Sequence, residues 1–425
     1  MGAPPGAYVI DSRAFMVKVF APFAAAHLLS YVLRSINAVL GSALATALSF
    51  DARQIGVITS AYFVGFAIAQ LPVGLALDRF GPKRTQCSLL ALGAFGCVLF
   101  ASTDSFGCLV LARTLIGIGL AACFMGAVKA ISDWLPATRM PSVNGYLLAV
   151  GGFGAMIATW PVQIVVETVG WRLLFVLLGG LILLTAVATH CLYPESALVD
   201  RRVETPIRSL WAVYRDQSFR RIISVMLVPH AVFFGIQGLW MGGWLRDAVG
   251  LTPRIAAGYL FAGAAAVVAS TLVVGRMTEQ AVKRGHSAMD IAASGLFAFM
   301  LIQVLIVADV RWAAGALAIG FPLFGAFAGL QFTIVAQSVP ASMTGRASTC
   351  LNLLIFIGSF AVQAGFGAIL RMWTDSSGGA QPVDAYRVAF GVLVLLQIPG
   401  LAIWLIRRLA RALGKFPARL EPASN

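Results

Sequence analysis

Gly74-Leu75-Ala76-Leu77-Asp78-Arg79-Phe80-Gly81-Pro82-Lys83-Arg84 is a short charged turn set between two long apolar runs. Gly74 lets neighbouring helices approach closely. Gly81 permits a tight reversal, which Pro82 then stiffens. Four of these eleven residues are charged, in a chain of 425 residues that is 11% charged and 59% hydrophobic, with a mean hydropathy of +0.87. A soluble domain carries about a quarter charged residues. So few polar side chains cannot cover a water-facing surface, and most of the chain must face lipid. A crossing needs about 20 apolar residues for roughly 30 Å of hydrocarbon. At roughly 35 residues per crossing and loop, the chain holds about twelve.

Working outward from this turn, apolar segments are expected at about 15–47, 53–77, 84–102, 106–132, 140–166, 171–193, 221–246, 254–277, 287–308, 312–337, 346–371 and 385–408. A polar stretch, 194–220, separates the sixth from the seventh. With the N-terminus inside, 22 of the 31 basic residues fall on one side and 7 on the other, leaving Arg34 and Arg113 within segments. Lys and Arg mark cytoplasmic loops, so both termini are expected in the cytoplasm of a multi-pass inner-membrane protein. Topology also accounts for most of the +14 formal charge, with no nucleic-acid partner. The partners are a small solute and the bilayer. The first twelve residues show no positive region or cleavage site of a secretory leader, so the first segment reads as a retained anchor. The six cysteines (87, 97, 108, 123, 191 and 350) are scattered through apolar runs without metal or redox spacing. No metal or cofactor is expected.

The chain repeats itself. His27 and Arg34, seven apart, recur as His230 and Gln237; Gly74 and Asp78 recur as Gly275 and Glu279; Arg139 recurs as Arg346. The offsets are 203, 201 and 207 residues. They divide the chain into an N-terminal half, 1–193, a cytoplasmic linker, 194–220, and a C-terminal half, 221–425. Repeats of this kind place a substrate near the midplane, where the halves meet.

Gly74 to Lys83 resembles the signature loop of the major facilitator superfamily, Gly-x-Leu-x-Asp-Arg-x-Gly-x-Lys, and stands between the second and third segments as it does there. The resemblance implies an all-α integral membrane fold of twelve helices in two pseudo-symmetric six-helix bundles, a secondary transporter working by alternating access, and a functional monomer. It also implies that Asp78, Arg79 and Lys83 are gating residues in a cytoplasmic charge cluster. Arg113 with Gly117, Gly119, Pro136 and Arg139 is similar to the family's fourth-helix pattern. Asp133 and Arg139 join the same cluster on this reading. The Gly-Pro-x-x-Gly-Gly pattern of the superfamily's drug antiporters is not matched: the fifth segment has Gly151, Gly152 and Gly154, then Thr159-Trp160-Pro161. That weakens a reading as an exporter of drug-like or siderophore-like compounds, which stays as the alternative. Pro161 can still kink the helix.

Charge inside a membrane costs roughly 2.5–3.5 kcal/mol on insertion scales and usually marks function. His27, Ser30, Tyr31, Arg34, Asn37 and Gly41 follow i, i+3, i+4, i+7 spacing and form one polar stripe on the first helix. All 17 acidic residues map to loops or helix ends. Arg34 and Arg113 therefore have no obvious carboxylate partner within the bilayer, and a guanidinium suits a carboxylate or phosphate. The substrate is read as a small organic anion, held by Tyr31, Arg34, Asn37, Arg113, Gln237 and Trp240. Satisfaction of the arginines by carbonyls, hydroxyls or water is the competing reading. His27 and His230 occupy matching places and titrate near neutrality, so they are proton-coupling candidates or neutral packing residues. Trp244 reads as a gate or an interfacial anchor. Gln331, Gln337, Asn352 and Gln363 read as cavity or helix-joining polar groups. No catalytic constellation and no Gly-x-x-x-x-Gly-Lys-Ser/Thr phosphate loop occurs. The chain is read as neither an enzyme nor a pump. A non-transporting sensor on the same fold is the remaining class.

Overall fold

A computed structural model describes residues 11–135, 140–194, 208–339, 344–373 and 382–413. Among these, every regular element is helical. Eleven segments are long and apolar enough to cross a membrane. The first is α1, Arg13–Ser35, which continues after Ile36 as Asn37–Leu48. Then come α2, Ala52–Leu77; α3, Arg79–Ser102; and α4, Phe106–Ser132. The fifth segment, Ala149–Leu192, has 44 residues. At 1.5 Å per residue it measures about 66 Å, enough for two crossings. It breaks at Gly170 (φ 81°, ψ 162°), giving α5, which begins at Met140, and α6, 171–192. The remainder are α7, Gln217–Asp247; α8, Pro253–Lys283; α9, Ala288–Val307; α10, Arg311–Val335; α11, Thr344–Arg371; and α12, Val383–Ala412. The crossings total twelve.

Helix starts follow local chemistry. At α2, the Asp51 side chain accepts from the Gln54 N–H and the Gln54 side chain accepts from the Asp51 N–H. This reciprocal cap satisfies two otherwise orphaned donors. At α7, Asp216 accepts from the Phe219 N–H at 2.8 Å. That cap moves the start of the seventh helix to Gln217, ahead of the expected 221. The stretch expected as an irregular linker also carries a helix, Arg208–Arg215, docked by buried Val213. The turn after α2 is tighter than expected. Ala52–Ser102 is helical throughout except at Gly81 (φ 77°, ψ 170°), where one residue in a glycine-only region reverses the chain.

The packing fits lipid rather than water. On α6, Trp171, Leu174, Phe175, Leu178 and Ile182 are buried, while Leu173, Val176, Leu177, Leu181 and Leu184 are exposed. A helix apolar on both faces has no water-facing side, so the outward stripe faces hydrocarbon.

The two bundles meet along α1–α7, α2–α11 and α5–α8. At the end that carries Asp51, Arg371 Nε lies 2.9 Å from Asp51 Oδ2, and Arg246 donates to the Ala38 carbonyl at 3.1 Å. Beside them, the Tyr386 hydroxyl donates to Asp247 at 2.8 Å within the second bundle. Further along, the Phe66 and Phe356 rings stack at 4.3 Å, and Asn352 Nδ2 donates to Gln70 Oε1 at 3.1 Å. The Asp51 end of the seam is thus closed by charge and hydrogen bonds, while the Phe66–Phe356 and Gln70–Asn352 contacts join the bundles further toward the opposite end.

The break at Gly170 supplies a test. Gly170→Val forces a β-branched residue into a positive-φ conformation that favours glycine, costing about 1–2 kcal/mol, and should lower the melting temperature of the purified protein. Gly180→Ala, on the exposed face of the same helix with open space around it, should not. Equal effects would remove the conformational explanation.

Candidate functional site

Regular helix hides its backbone from lipid, so interrupted helix at membrane depth is tolerated only inside protein or beside a water-filled cavity. Here every third helix is interrupted. The break in α1 is at Ile36; in α4 at Ala121–Ala122; in α7 at a π-helical turn, Ile236–Trp240; and in α10 at a 3₁₀ turn, Ala326–Gly329. A further break, at Thr159, precedes Pro161 in α5. The polar residues expected to meet a solute sit next to these breaks. Arg34 and Asn37 flank Ile36, and Gln237 and Trp240 lie within the π-helical turn.

Arg34 is 8% exposed. Its guanidinium carbon lies 4.3 Å from the Tyr31 ring centre, 5.3 Å from Phe356, 5.5 Å from Phe66 and 5.7 Å from Phe234. Rings from α1, α11, α2 and α7 thus surround one cation, at the junction of the two bundles. Each can contribute about 0.5–2 kcal/mol of cation–π attraction, yet none neutralises charge. Nε has no protein partner. Among the described residues, none of the carboxylates that form ion pairs is paired with Arg34. One turn on, Asn37 is fully buried, with both amide atoms lacking protein partners. The same is true of Gln363 Oε1 and Gln237 Oε1. Buried polar atoms are normally satisfied, and these atoms have no partner among the described residues.

Arg113 is placed differently from Arg34. It is wholly buried between α1, α3 and α6, with Phe100 at 5.3 Å and Phe175 at 5.4 Å. Its Nη1 donates to the Leu33 carbonyl at 3.4 Å, while Nε and Nη2 have no protein partner. It therefore lies within the first bundle, against the residue preceding Arg34.

Both histidines are buried, His27 on α1 and His230 on α7. His27 is buried beside Tyr31 (5.0 Å) and Phe124 (5.3 Å), with Nε2 unpartnered by protein. His230 stacks on Phe234 at 5.1 Å, and its Nδ1 is 3.2 Å from Gln331 Oε1. The Trp240 indole N–H already donates to the Gln363 carbonyl at 2.8 Å, and its ring stacks on Phe366 at 5.4 Å. Trp244 is buried, so it is not an interfacial anchor; the helix end carries it into the closed seam. Of the expected gating group, Arg79 is exposed, with its guanidinium 5.2 Å from the Phe80 ring. Lys83 is half-buried and Asp133 is exposed. Arg139 and the Asp78 side chain lie outside the described residues.

Sequence reading missed the rings of Phe66, Phe234 and Phe356. In a chain with 28 phenylalanines, no local signal marks the three that converge on Arg34. It also counted Arg246 only as an outer-side charge, whereas its guanidinium reaches across the seam to the Ala38 carbonyl.

The profile of the Major Facilitator Superfamily matches residues 23–363. The chain belongs to this superfamily. Within it, the chain is 27% identical over 382 residues to the probable L-galactonate transporter of Escherichia coli (strain K12), covering 83% of this chain and 82% of that protein. It is 24% identical over 332 residues to the cis,cis-muconate transport protein of Acinetobacter baylyi (strain ATCC 33305 / BD413 / ADP1), covering 75% and 77%. The fold is shared with a bacterial homolog of the human lysosomal transporter Spinster, solved in an inward-facing, unoccupied conformation: TM-score 0.74, 18% identity, covering 97% of this chain and 100% of that one. The expected superfamily fold is thus the observed one.

The closed end is open to a direct test. A Cβ at Gly242 of α7 would overlap the Ala38 carbonyl of α1, whereas the Asp51–Arg371 pair is partly solvent-exposed and worth about 0–1 kcal/mol. Gly242→Val should therefore lower the melting temperature by more than Arg371→Ala does. The reverse order would show that the ion pair, not the close helix approach, closes this end.

Proposed function

We propose that the protein is a secondary transporter of small organic anions, with the anion's carboxylate held by Arg34. The observation that carries this reading is a guanidinium buried at the junction of the bundles, ringed by aromatic side chains and without an acidic partner among the described residues. An unpaired cation in a low-dielectric site calls for an anion, and the planar fork of arginine suits a carboxylate. The names of the relatives agree: galactonate and muconate both carry carboxylates.

Roles follow from position. Arg34 binds charge. Tyr31 lies over the guanidinium. Asn37 and Gln237 offer amide groups to the rest of the solute, and Trp240 walls the site toward the closed end. Arg113 holds the Leu33 carbonyl and places a second positive charge behind Arg34. The solute reaches the site when the halves, 1–193 and 221–425, rock about the seam, joined by the linker 194–220. With both termini in the cytoplasm of the inner membrane, the Asp51 end faces outward. Asp78, Arg79, Lys83, Asp133 and Arg139 then gate the cytoplasmic side.

The test is the melting temperature of purified protein titrated with galactonate, cis,cis-muconate, neutral sugars and organic cations. A ligand stabilises by RT ln(1 + [L]/Kd). Carboxylates should raise the melting point of the wild type. Arg34→Ala should need about 10–100-fold more ligand for the same shift, the worth of one charge-assisted hydrogen-bond pair. Stabilisation by neutral sugars or cations alone, equal in both proteins, would rule the anion site out.

A further inference from the structure

We propose that this transporter is an obligate exchanger: it crosses between its two faces rapidly only with an anion on Arg34, and so moves one anion inward for each anion moved outward. The inference rests on the anion reading of Arg34 and adds the mode of coupling to it.

Any carrier that works by alternating access passes through a state closed at both ends. Arg34 is already only 8% exposed, so a state closed at both ends leaves it little contact with water. Neighbours of the guanidinium come from several helices. Its own helix contributes Tyr31 and, two turns back, His27; α2 contributes Phe66 and the Tyr62 hydroxyl; α7 and α11 contribute Phe234 and Phe356. The Cys123 thiol approaches from α4. None of these is a carboxylate. The acidic groups described on the spans lie at helix ends, such as Asp247, bound to Tyr386, and Asp290, bound to Trp404.

A symporter of anions and protons needs a group that neutralises the site cation when the solute has left, so that the empty carrier can return. A carboxylate close to the arginine serves that purpose, and this site has none among the described residues. The aromatic rings attract the cation but leave its charge uncompensated. Stripping a partner from a buried charge is strongly disfavoured, and on that scale the empty carrier should cross about a hundred-fold or more slowly than the loaded one. The solute itself becomes the missing counter-ion. The charge argument applies equally in both directions, so the release of one anion must be followed by the capture of another. Anions of equal charge then exchange with no net movement of charge.

The experiment uses the wild-type protein in liposomes, with labelled galactonate and labelled cis,cis-muconate as probes. Uptake is measured into vesicles preloaded with the same unlabelled anion and into vesicles holding buffer alone, each with and without an inward proton gradient. The expected result is rapid uptake into preloaded vesicles, about a hundred-fold or more slower uptake into buffer-filled ones, and no change when the gradient is imposed. Equal uptake into both kinds of vesicle would overturn exchange while leaving the anion site intact. So would accumulation in buffer-filled vesicles driven by the proton gradient, which would assign coupling to His27 or His230. If neither probe enters preloaded vesicles and neither shifts the melting temperature, the anion reading itself fails, and exchange with it.

Discussion

The cost of holding a cation away from water governs this structure. Arg34 lies near the middle of a helix in a chain that places its acidic residues at the ends of its spans. The protein meets that cost in part with four aromatic rings drawn from four helices, two from each bundle. A cation–π cage lowers the energy of a guanidinium without cancelling its charge, and the proposed anion site rests on that remaining charge. Had the chain offered a carboxylate at 3 Å, the same arginine would be satisfied in the empty state, and the polar cluster would read as structural glue. The amide of Asn37 and the Oε1 atoms of Gln237 and Gln363, which lack protein partners, extend the same logic from charge to hydrogen bonding.

Placing such a site at the centre of a bundle requires irregular backbone, and the breaks in α1, α4, α7 and α10 provide it. An uninterrupted helix would carry Asn37 and Gln237 at positions fixed by 3.6-residue periodicity; the turn at Ile36 and the π-helical turn at Ile236–Trp240 shift them. The same π-helical turn aims the Trp240 N–H at the Gln363 carbonyl, which ties α7 to α11 just beyond the site. Closure at the Asp51 end relies on close approach more than on charge. α7 meets α1 where Gly242 has no side chain, and Arg246 donates to the Ala38 carbonyl across the junction.

Much of the fold was legible in the sequence because its cause is compositional. Twelve apolar runs, the charged turn at 74–84 and the asymmetry of Lys and Arg all follow from the difference between lipid and water, and that difference acts locally. The polar stripe on α1 was legible for the same reason: a polar residue in an apolar helix is conspicuous. The aromatic cage was not, because Phe66, Phe234 and Phe356 look like every other lipid- or core-facing phenylalanine until three helices bring them together. The surroundings of Trp244 and Arg246 stayed open in the sequence because both sit at a helix end, where hydropathy cannot separate a buried seam from a membrane surface. The start of α7 was misjudged by four residues because the cap at Asp216 outweighs the low hydropathy of the turn that follows it.

The most direct test of the account is an experimental structure of the wild-type protein with galactonate bound. The account predicts density for a carboxylate within hydrogen-bonding distance of the Arg34 guanidinium, with the hydroxylated remainder reaching toward Asn37 or Gln363. A ligand found elsewhere, with the Arg34 guanidinium turned onto backbone carbonyls, would contradict it and make the arginine a structural element of α1.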